Sequence, residues 1–332
     1  MGVSVVRYIA SGQEPLRGVA QAPAWGVLRG DTVHALALVA EDHRQLMRQY
    51  FEAREQFDAA IGAAVGSLGE LKFCSPLEGD IQLLCQGLNY ADHRLEGGLD
   101  EGGEEEENLI FSKAASSICG PNDDILRPAG CELLDYEIEL GLVLKKGIDG
   151  AVTVTEDTLH EWVGGLVLAN DVSARDFMFG APMMQWFKGK SQRTFCPLGP
   201  VLYLLEPADF QQLYQLRLEL KLNGETKQDA TTDLLIHKPA KTLTELSIFT
   251  DVGAGDCLLT GTPGGVLVGI NLKAALAIVL NMRNDQKRRD KFVAAQLGRT
   301  RFLEPGDQLE LSIKSLDGSI NLGTQSNTIR DA

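Results

Sequence analysis

The chain has 332 residues, 44% of them hydrophobic, with 35 glycines and 12 prolines. That length can bury a large core, and the apolar share argues against disorder. With 31 basic against 46 acidic residues the formal net charge is -15, which excludes general phosphate-backbone binding and fits a small-molecule enzyme or a charge-solubilised protein. No early segment combines a basic start, an apolar run and a cleavage site, and no apolar run reaches about 18 residues. The sequence therefore predicts a soluble, cytoplasmic protein with no nucleic-acid and no membrane partner. The six cysteines, Cys74, Cys85, Cys119, Cys131, Cys196 and Cys257, form no C-x-x-C pair and read as buried free thiols in a reducing compartment.

Residues 1–75 read as a small N-terminal α+β domain. "SVVRYIA" and "AWGVLRGDTVHALAL" are alternating strands with a Gly-Asp turn. Helical spacing of Leu46, Tyr50, Phe51, Phe57 and Ile61 predicts a helix across "EDHRQLMRQYFEAREQFDAAIGAAVG". "CSPLEGD" is a linker. Residues 80–332 read as one large β-rich domain, because short apolar runs alternate with turns such as Asn223-Gly224. Within it, "LDEGGEEEEN" (99–108) is an acidic, glycine-rich loop, either solvated charge or a lid. Residues 271–302 read as a helical insertion whose basic cluster, Lys287, Arg288, Arg289 and Lys291, is a solvated face or a subunit contact.

"LLDYEIELGLVL" (133–144) has the texture of a buried strand yet carries Asp135, Glu137 and Glu139 at alternate positions. Alternate strand residues share a face, with neighbours about 7 Å apart along the backbone. Like charges so placed raise one another's pKa unless water or a cation intervenes. The face is thus either solvent-exposed or built around an ion, and oxygen donors select Mg²⁺, Mn²⁺ or Ca²⁺. A third ligand could come from Asp171, at the end of the apolar run in "GGLVLANDVSARD", although an aspartate there can also cap a turn. His93 and Glu96, three residues apart in "YADHRLEGG", share one face if helical. They are either a surface pair or an imidazole held by a carboxylate for proton transfer. Gly189-Lys190-Ser191 is not a phosphate loop, since that motif needs a glycine where Met184 stands. Cys196 has no basic neighbour in sequence and reads as packing.

Five blocks in order, "GLNYADHRLE", "DYEIEL", "ANDVSARD", "GKSQRTFCPLGP" and "TGTPGGV", resemble the fumarylacetoacetate hydrolase family from about Leu83 to the C-terminus. The resemblance implies a β-rich α+β fold, a mixed β-sandwich roll with a small N-terminal domain, and a homodimer. It implies a Mg²⁺ or Mn²⁺ cofactor, with Ca²⁺ as a substitute, and a dicarbonyl or 2-oxo acid substrate. The expected activity is hydrolysis of a C–C bond in an acylpyruvate-like β-diketone, in the breakdown of aromatic or other carbon compounds. A 2-hydroxy-dienoate isomerase, an oxaloacetate-type decarboxylase and a non-catalytic metal-stabilised scaffold are the alternatives. Carried over by motif, Glu137, Glu139 and Asp171 would be metal ligands, with Asp135 in support. His93 and Glu96 would activate water and Lys190 would stabilise an oxyanion. Arg175 and Thr262 would contact substrate, with a salt bridge to Asp176 the plainer role for Arg175. The chain departs from the pattern at Met178, where relatives carry a substrate-contacting glutamine, and at Gln192 and Arg193. Met178 in the Met- and aromatic-rich "FMFGAPMMQWF" then suggests a larger or more apolar substrate tail, with Gln185 a substitute amide.

Overall fold

The computed structural model describes residues 1–9, 22–103, 105–181, 183–270, 272–281 and 283–332. Its centre is a 12-stranded sheet. Along the main path the strands run Ile61–Ser67, Thr32–Leu36, Ala24–Arg29, Val3–Ile9, Cys196–Leu204, Val163–Asn170, Ile138–Leu144, Cys257–Leu259, Leu83–Gly87 and Leu109–Lys113. A five-stranded sheet, in the order Glu225–Thr231, Leu216–Leu222, Gln308–Ser315, Asn321–Asp331 and Ile125–Arg127, packs against it. This is the β-rich α+β architecture that the alternating runs predicted. Asn223 and Gly224 link the first two strands of the smaller sheet. Their φ values of +52° and +83° are those of a tight hairpin turn, which asparagine and glycine tolerate best.

Both faces of the large sheet are covered, which explains why its central strands are apolar throughout. All seven residues of Ile138–Leu144 and all eight of Val163–Asn170 are buried. Leu140, Leu142, Leu166 and Leu168 share a core with Leu218, Leu220, Leu311 and Ile313 of the smaller sheet. Val143, Val167 and Leu202 face the other way, into a core with Val5, Trp25, Leu46, Met47 and Tyr50. The last three belong to the helix His43–Glu52, whose first turn is capped by Asp42 accepting from the Gln45 N–H at 2.9 Å. Burying Leu46 and Met47 contributes about 1.5–3 kcal/mol each. The N-terminal strand Val3–Ile9 is hydrogen-bonded to Cys196–Leu204, so the first strands continue the central sheet.

Helical spacing across 41–66 overextends the helix. It stops at Ala53, whose φ of -138° leaves the helical region, and a second helix covers only Arg54–Ala59. Ile61–Ser67 is instead a strand, with Ile61 opposite Leu36. Gly62 and Gly66 weaken a helix there, while the Thr32–Leu36 edge offers unpaired backbone groups. The 271–302 segment contains two helices, Leu272–Val279 and Asp285–Leu297. Its basic cluster is not a uniformly solvated face. Lys287 and Lys291 are exposed, but Arg288 is 1% exposed and donates to the Gly180 carbonyl at 2.9 Å. Arg289 bonds Asp176 at 2.7 Å, which consumes the partner that the sequence offered to Arg175. All six cysteines are free. Among the described residues no helix is long and apolar enough to cross a membrane.

Candidate active site

Two antiparallel strands bring three carboxylates together. Ile138 lies opposite Asn170 and Glu139 opposite Ala169. Just beyond this pairing, the Asp171 N–H donates to the Glu137 carbonyl at 2.8 Å, and the Glu137 N–H donates to Asn170 Oδ1 at 3.0 Å. Glu137, Glu139 and Asp171 thereby each present an oxygen within 4.8 Å of the others, and all three are buried.

Asp135 does not join them, because "LLDYEIELGLVL" is not one strand. It breaks into Leu134–Asp135 and Ile138–Leu144. The Asp135 carboxylate turns to the 267–268 backbone, accepting from the Leu267 N–H at 3.0 Å and the Val268 N–H at 3.1 Å. It also accepts from Arg175 Nε at 2.9 Å. The expectation that all three acids project together from one strand is corrected here: only Glu137 and Glu139 point to the cluster.

Three buried cations surround the acids. Lys190 Nζ lies 2.7 Å from Glu137 Oε2 and 2.6 Å from Asp171 Oδ2. Arg175 Nη2 donates to Glu137 Oε1 at 2.5 Å. Lys113 pairs with Asp171 and donates to the Phe195 carbonyl at 2.9 Å. Burial alone would raise the Glu137 carboxyl, but Arg175, Lys190 and His93 outweigh it and hold Glu137 well below its ordinary value. Lys190 shows the mirror case: burial lowers it, while Asp171 and Glu137 more than restore the charge. At Glu139 the nearby Lys190 does not outweigh the opposing causes. Burial, then Asp171 and Glu137, push its carboxyl well up, and its hydrogen bond comes from the Gly261 N–H at 2.8 Å. A divalent cation suits this set on chemical grounds. The donors are hard oxygens, all three are buried, and among the described residues Glu139 makes no ion pair.

Of the three acids, Glu137 reaches a cavity of about 510 Å³, whose lining also includes Arg175, Lys190 and Thr262. His93 and Glu96 line the same cavity. His93 Nδ1 is 3.3 Å from Glu96 Oε2, and Glu96 Oε1 accepts from the Gly265 N–H at 2.8 Å. The spacing reading was thus right that the two share a face of one helix, Ala91–Glu96. With Nδ1–H directed at the carboxylate, Nε2 is left as the basic nitrogen. The remaining wall is apolar, including Leu109, Phe111, Phe179, Trp186 and Ile270, with Phe111 and Trp186 in ring contact at 5.0 Å. The acidic loop is bracketed by Leu99 and Leu109, both of which line the cavity. Its Asp100 pairs with Arg94 at 3.0 Å.

Met178 does not line this cavity. It is fully buried, and a Cβ on Gly189 would stand 2.1 Å from its Cγ, so it packs under the lysine-bearing helix Trp186–Lys190. Met184, further along the chain, lines the cavity instead. Gln185 is exposed and bonds the Met183 carbonyl at 3.2 Å, so it supplies no substitute amide. Cys196 is packing as expected: it is fully buried, and burial pushes its thiol up to about 12. Two residues escaped the sequence reading. Lys113 could have been suspected as a charge ending the apolar run "NLIFSK". Gln228 gave no signal. Its Oε1 accepts from the Ile138 N–H at 3.0 Å, and its Nε2 donates to Thr262 Oγ1 and the Pro263 carbonyl, both at 2.8 Å. One buried amide therefore ties the acid-bearing strand to the "TGTPGG" loop.

A β-rich α+β fold with a buried oxygen-donor cluster beside a largely apolar pocket defines the class of protein. The comparisons narrow it. The family described as Fumarylacetoacetate (FAA) hydrolase C-terminal matches residues 82–330, and the chain belongs to this family. A mitochondrial oxaloacetate tautomerase of Bos taurus is 37% identical over 198 residues, 59% of this chain and 60% of the relative. The chain thus spans about 60% of the length of that relative. A 2,4-didehydro-3-deoxy-L-rhamnonate hydrolase of Sphingomonas sp. (strain SKA58) is 37% identical over 216 residues, 64% of this chain and 73% of the relative. The solved structure of a fumarylacetoacetate hydrolase from the psychrophile Exiguobacterium antarcticum superposes with a TM-score of 0.75 at 26% identity, covering 99% of this chain and all of that one. Both curated relatives are enzymes acting on small molecules.

Proposed function

We propose that the protein is a Mg²⁺- or Mn²⁺-dependent hydrolase that cleaves a C–C bond in an acylpyruvate-like or other β-diketone 2-oxo acid. Glu137, Glu139 and Asp171 would hold the ion. The observation that carries this reading is a buried three-carboxylate cluster, one member of which, Glu137, lines the same cavity as an oriented histidine. When bound, such an ion supplies Lewis acidity to chelating substrate oxygens.

The chain's own residues do the rest. Glu96, anchored by the Gly265 N–H, holds the His93 ring with Nε2 free to take a proton from water. The hydroxide formed adds to the distal carbonyl. The C–C bond then breaks, its electron pair passes to the pyruvate-side enolate, and a proton returns to that carbon. The products are a carboxylate and a 2-oxo acid. Lys190 provides a fixed positive charge beside the developing enolate oxygen. Arg175, locked to Asp135 and Glu137, and the Thr262 hydroxyl would orient the substrate carboxylate.

The 37% identity to an oxaloacetate tautomerase favours a second reading, in which His93 moves a proton between carbon and oxygen with no attack by water. Decarboxylation of a 2-oxo acid could use the same charges. A non-catalytic metal-stabilised protein would have no use for a basic nitrogen and a lysine in one cavity. The test is His93→Ala assayed on acylpyruvates. Metal binding is retained, and kcat falls about 10²–10⁴-fold, the range typical of a lost general base. Unchanged turnover removes His93 from the reaction.

A further inference from the structure

We infer that the substrate carries an uncharged, apolar group at the end distal to its 2-oxo acid, and that the cavity rejects a second carboxylate there. The inference rests on the reading above only in taking the Arg175–Lys190 end as the oxo-acid end. Permanent positive charge in this cavity is already paired. Among its described lining residues the permanent cations are Arg175 and Lys190, and both are bonded to the acids at one end. The apolar part of the lining, with Leu99, Leu109, Met184 and Ile270, offers no charged side chain, while Phe111 lies beside Lys190, whose Nζ is 5.2 Å from the ring centre.

The polar group between these regions does not help an anion. Both N–H groups of the Gln86 amide are engaged, with Asn108 Oδ1 at 3.0 Å and Thr242 Oγ1 at 2.9 Å. Only its carbonyl oxygen is left over, and an oxygen repels a carboxylate. The cations flanking the lining residues in sequence are directed elsewhere. Arg94 bonds Asp100, Lys113 pairs with Asp171, and Lys188 lies over the Phe177 ring. Size argues the same way. At about 510 Å³ the cavity falls within the roughly 300–1,000 Å³ of pockets that hold drug-sized ligands, so a pyruvate-sized acid fills a minor part of it. An alkyl or aryl tail would remove apolar wall from water, whereas a buried second carboxylate would lie unpaired.

Calorimetric binding of non-reacting 2-oxo acids to the Mn²⁺-loaded protein tests this without requiring turnover. From 2-oxobutanoate to 2-oxooctanoate, each added methylene tightens binding about fourfold, corresponding to about 0.8 kcal/mol. 2-Oxooctanoate outbinds its equal-length dicarboxylate, 2-oxooctanedioate, roughly 100-fold. Met184→Arg, at a side chain 59% exposed and so tolerant of charge, narrows that ratio by strengthening the dicarboxylate. Equal or tighter dicarboxylate binding by the wild type overturns the inference, as does a ratio that Met184→Arg leaves untouched. If tail selectivity holds while acylpyruvates are not cleaved, the reaction assignment fails and the inference stands. If acylpyruvates are cleaved but the dicarboxylate binds as well, the reverse is true.

Discussion

Replacing Gln228 with leucine removes one side chain and strands three buried groups. The Ile138 N–H loses its acceptor at 3.0 Å, and Thr262 Oγ1 and the Pro263 carbonyl each lose a donor at 2.8 Å. Gln228 is fully buried and Thr262 nearly so, so bulk water does not replace these bonds. An unsatisfied buried donor or acceptor costs about 1–3 kcal/mol, and leucine restores some apolar burial. The expected net loss is about 4 kcal/mol, a large part of the 5–15 kcal/mol typical of a folded domain. Urea denaturation of the metal-free protein measures it, with an unchanged slope showing that two-state behaviour persists. The damage also has a functional direction. Ile138 lies between Glu137 and Glu139, so Gln228→Leu weakens Mn²⁺ binding as well as the contact with Thr262. A variant within 1 kcal/mol of wild type, with Mn²⁺ affinity intact, refutes the claim that this amide couples the strand to the loop.

Other outcomes follow from the charged cluster and the N-terminal helix. Lys190→Met leaves Glu137 and Asp171 short of a cation and destabilises the metal-free protein by about 3–5 kcal/mol. Saturating Mn²⁺ recovers much of that loss in a thermal melt, and a loss that Mn²⁺ does not reduce contradicts the charge argument. His43 is buried, with Nε2 2.9 Å from the Gly255 carbonyl, and burial pushes its imidazole below the ordinary 6.5. The folded state therefore binds fewer protons than the unfolded state just below pH 6.5. Stability is full above that pH and declines as pH falls toward the folded-state pKa. Melting temperatures between pH 5 and 7 lose part of this slope in His43→Gln, while an unchanged slope assigns it to other groups.

The sequence showed the acids and hid the arrangement that makes them a site. Glu137, Glu139 and Asp171 could be singled out because charges at the ends of apolar strands stand out against their surroundings. The break that sends Asp135 toward Leu267 and Val268 could not, since it depends on a partner segment 130 residues further along the chain. Lys113 and Gln228 meet the acid-bearing strands only through sheet pairing and loop packing. Local patterning could not foresee those long-range contacts. Ile61–Ser67 shows the same limit: its helical periodicity lost to an unpaired strand edge. Met178 shows it at the pocket. The family resemblance suggested a substrate contact there, but the close approach of Gly189 turns it into the packing beneath Lys190.

The central claim is that the buried acids hold a catalytic divalent ion, and Mn²⁺ titration followed by electron paramagnetic resonance tests it most directly in Glu139→Gln. This substitution is chosen because Glu139, unlike Glu137 and Asp171, has no ion pair among the described residues, and a glutamine oxygen can still accept from the Gly261 N–H. The wild type takes up a single tightly held Mn²⁺. The variant folds normally yet binds more than about 100-fold weaker, beyond the 10–100-fold typical of merely supporting residues, and loses turnover in parallel. Wild-type Mn²⁺ affinity in Glu139→Gln, or full turnover in chelator-treated protein, would contradict the account.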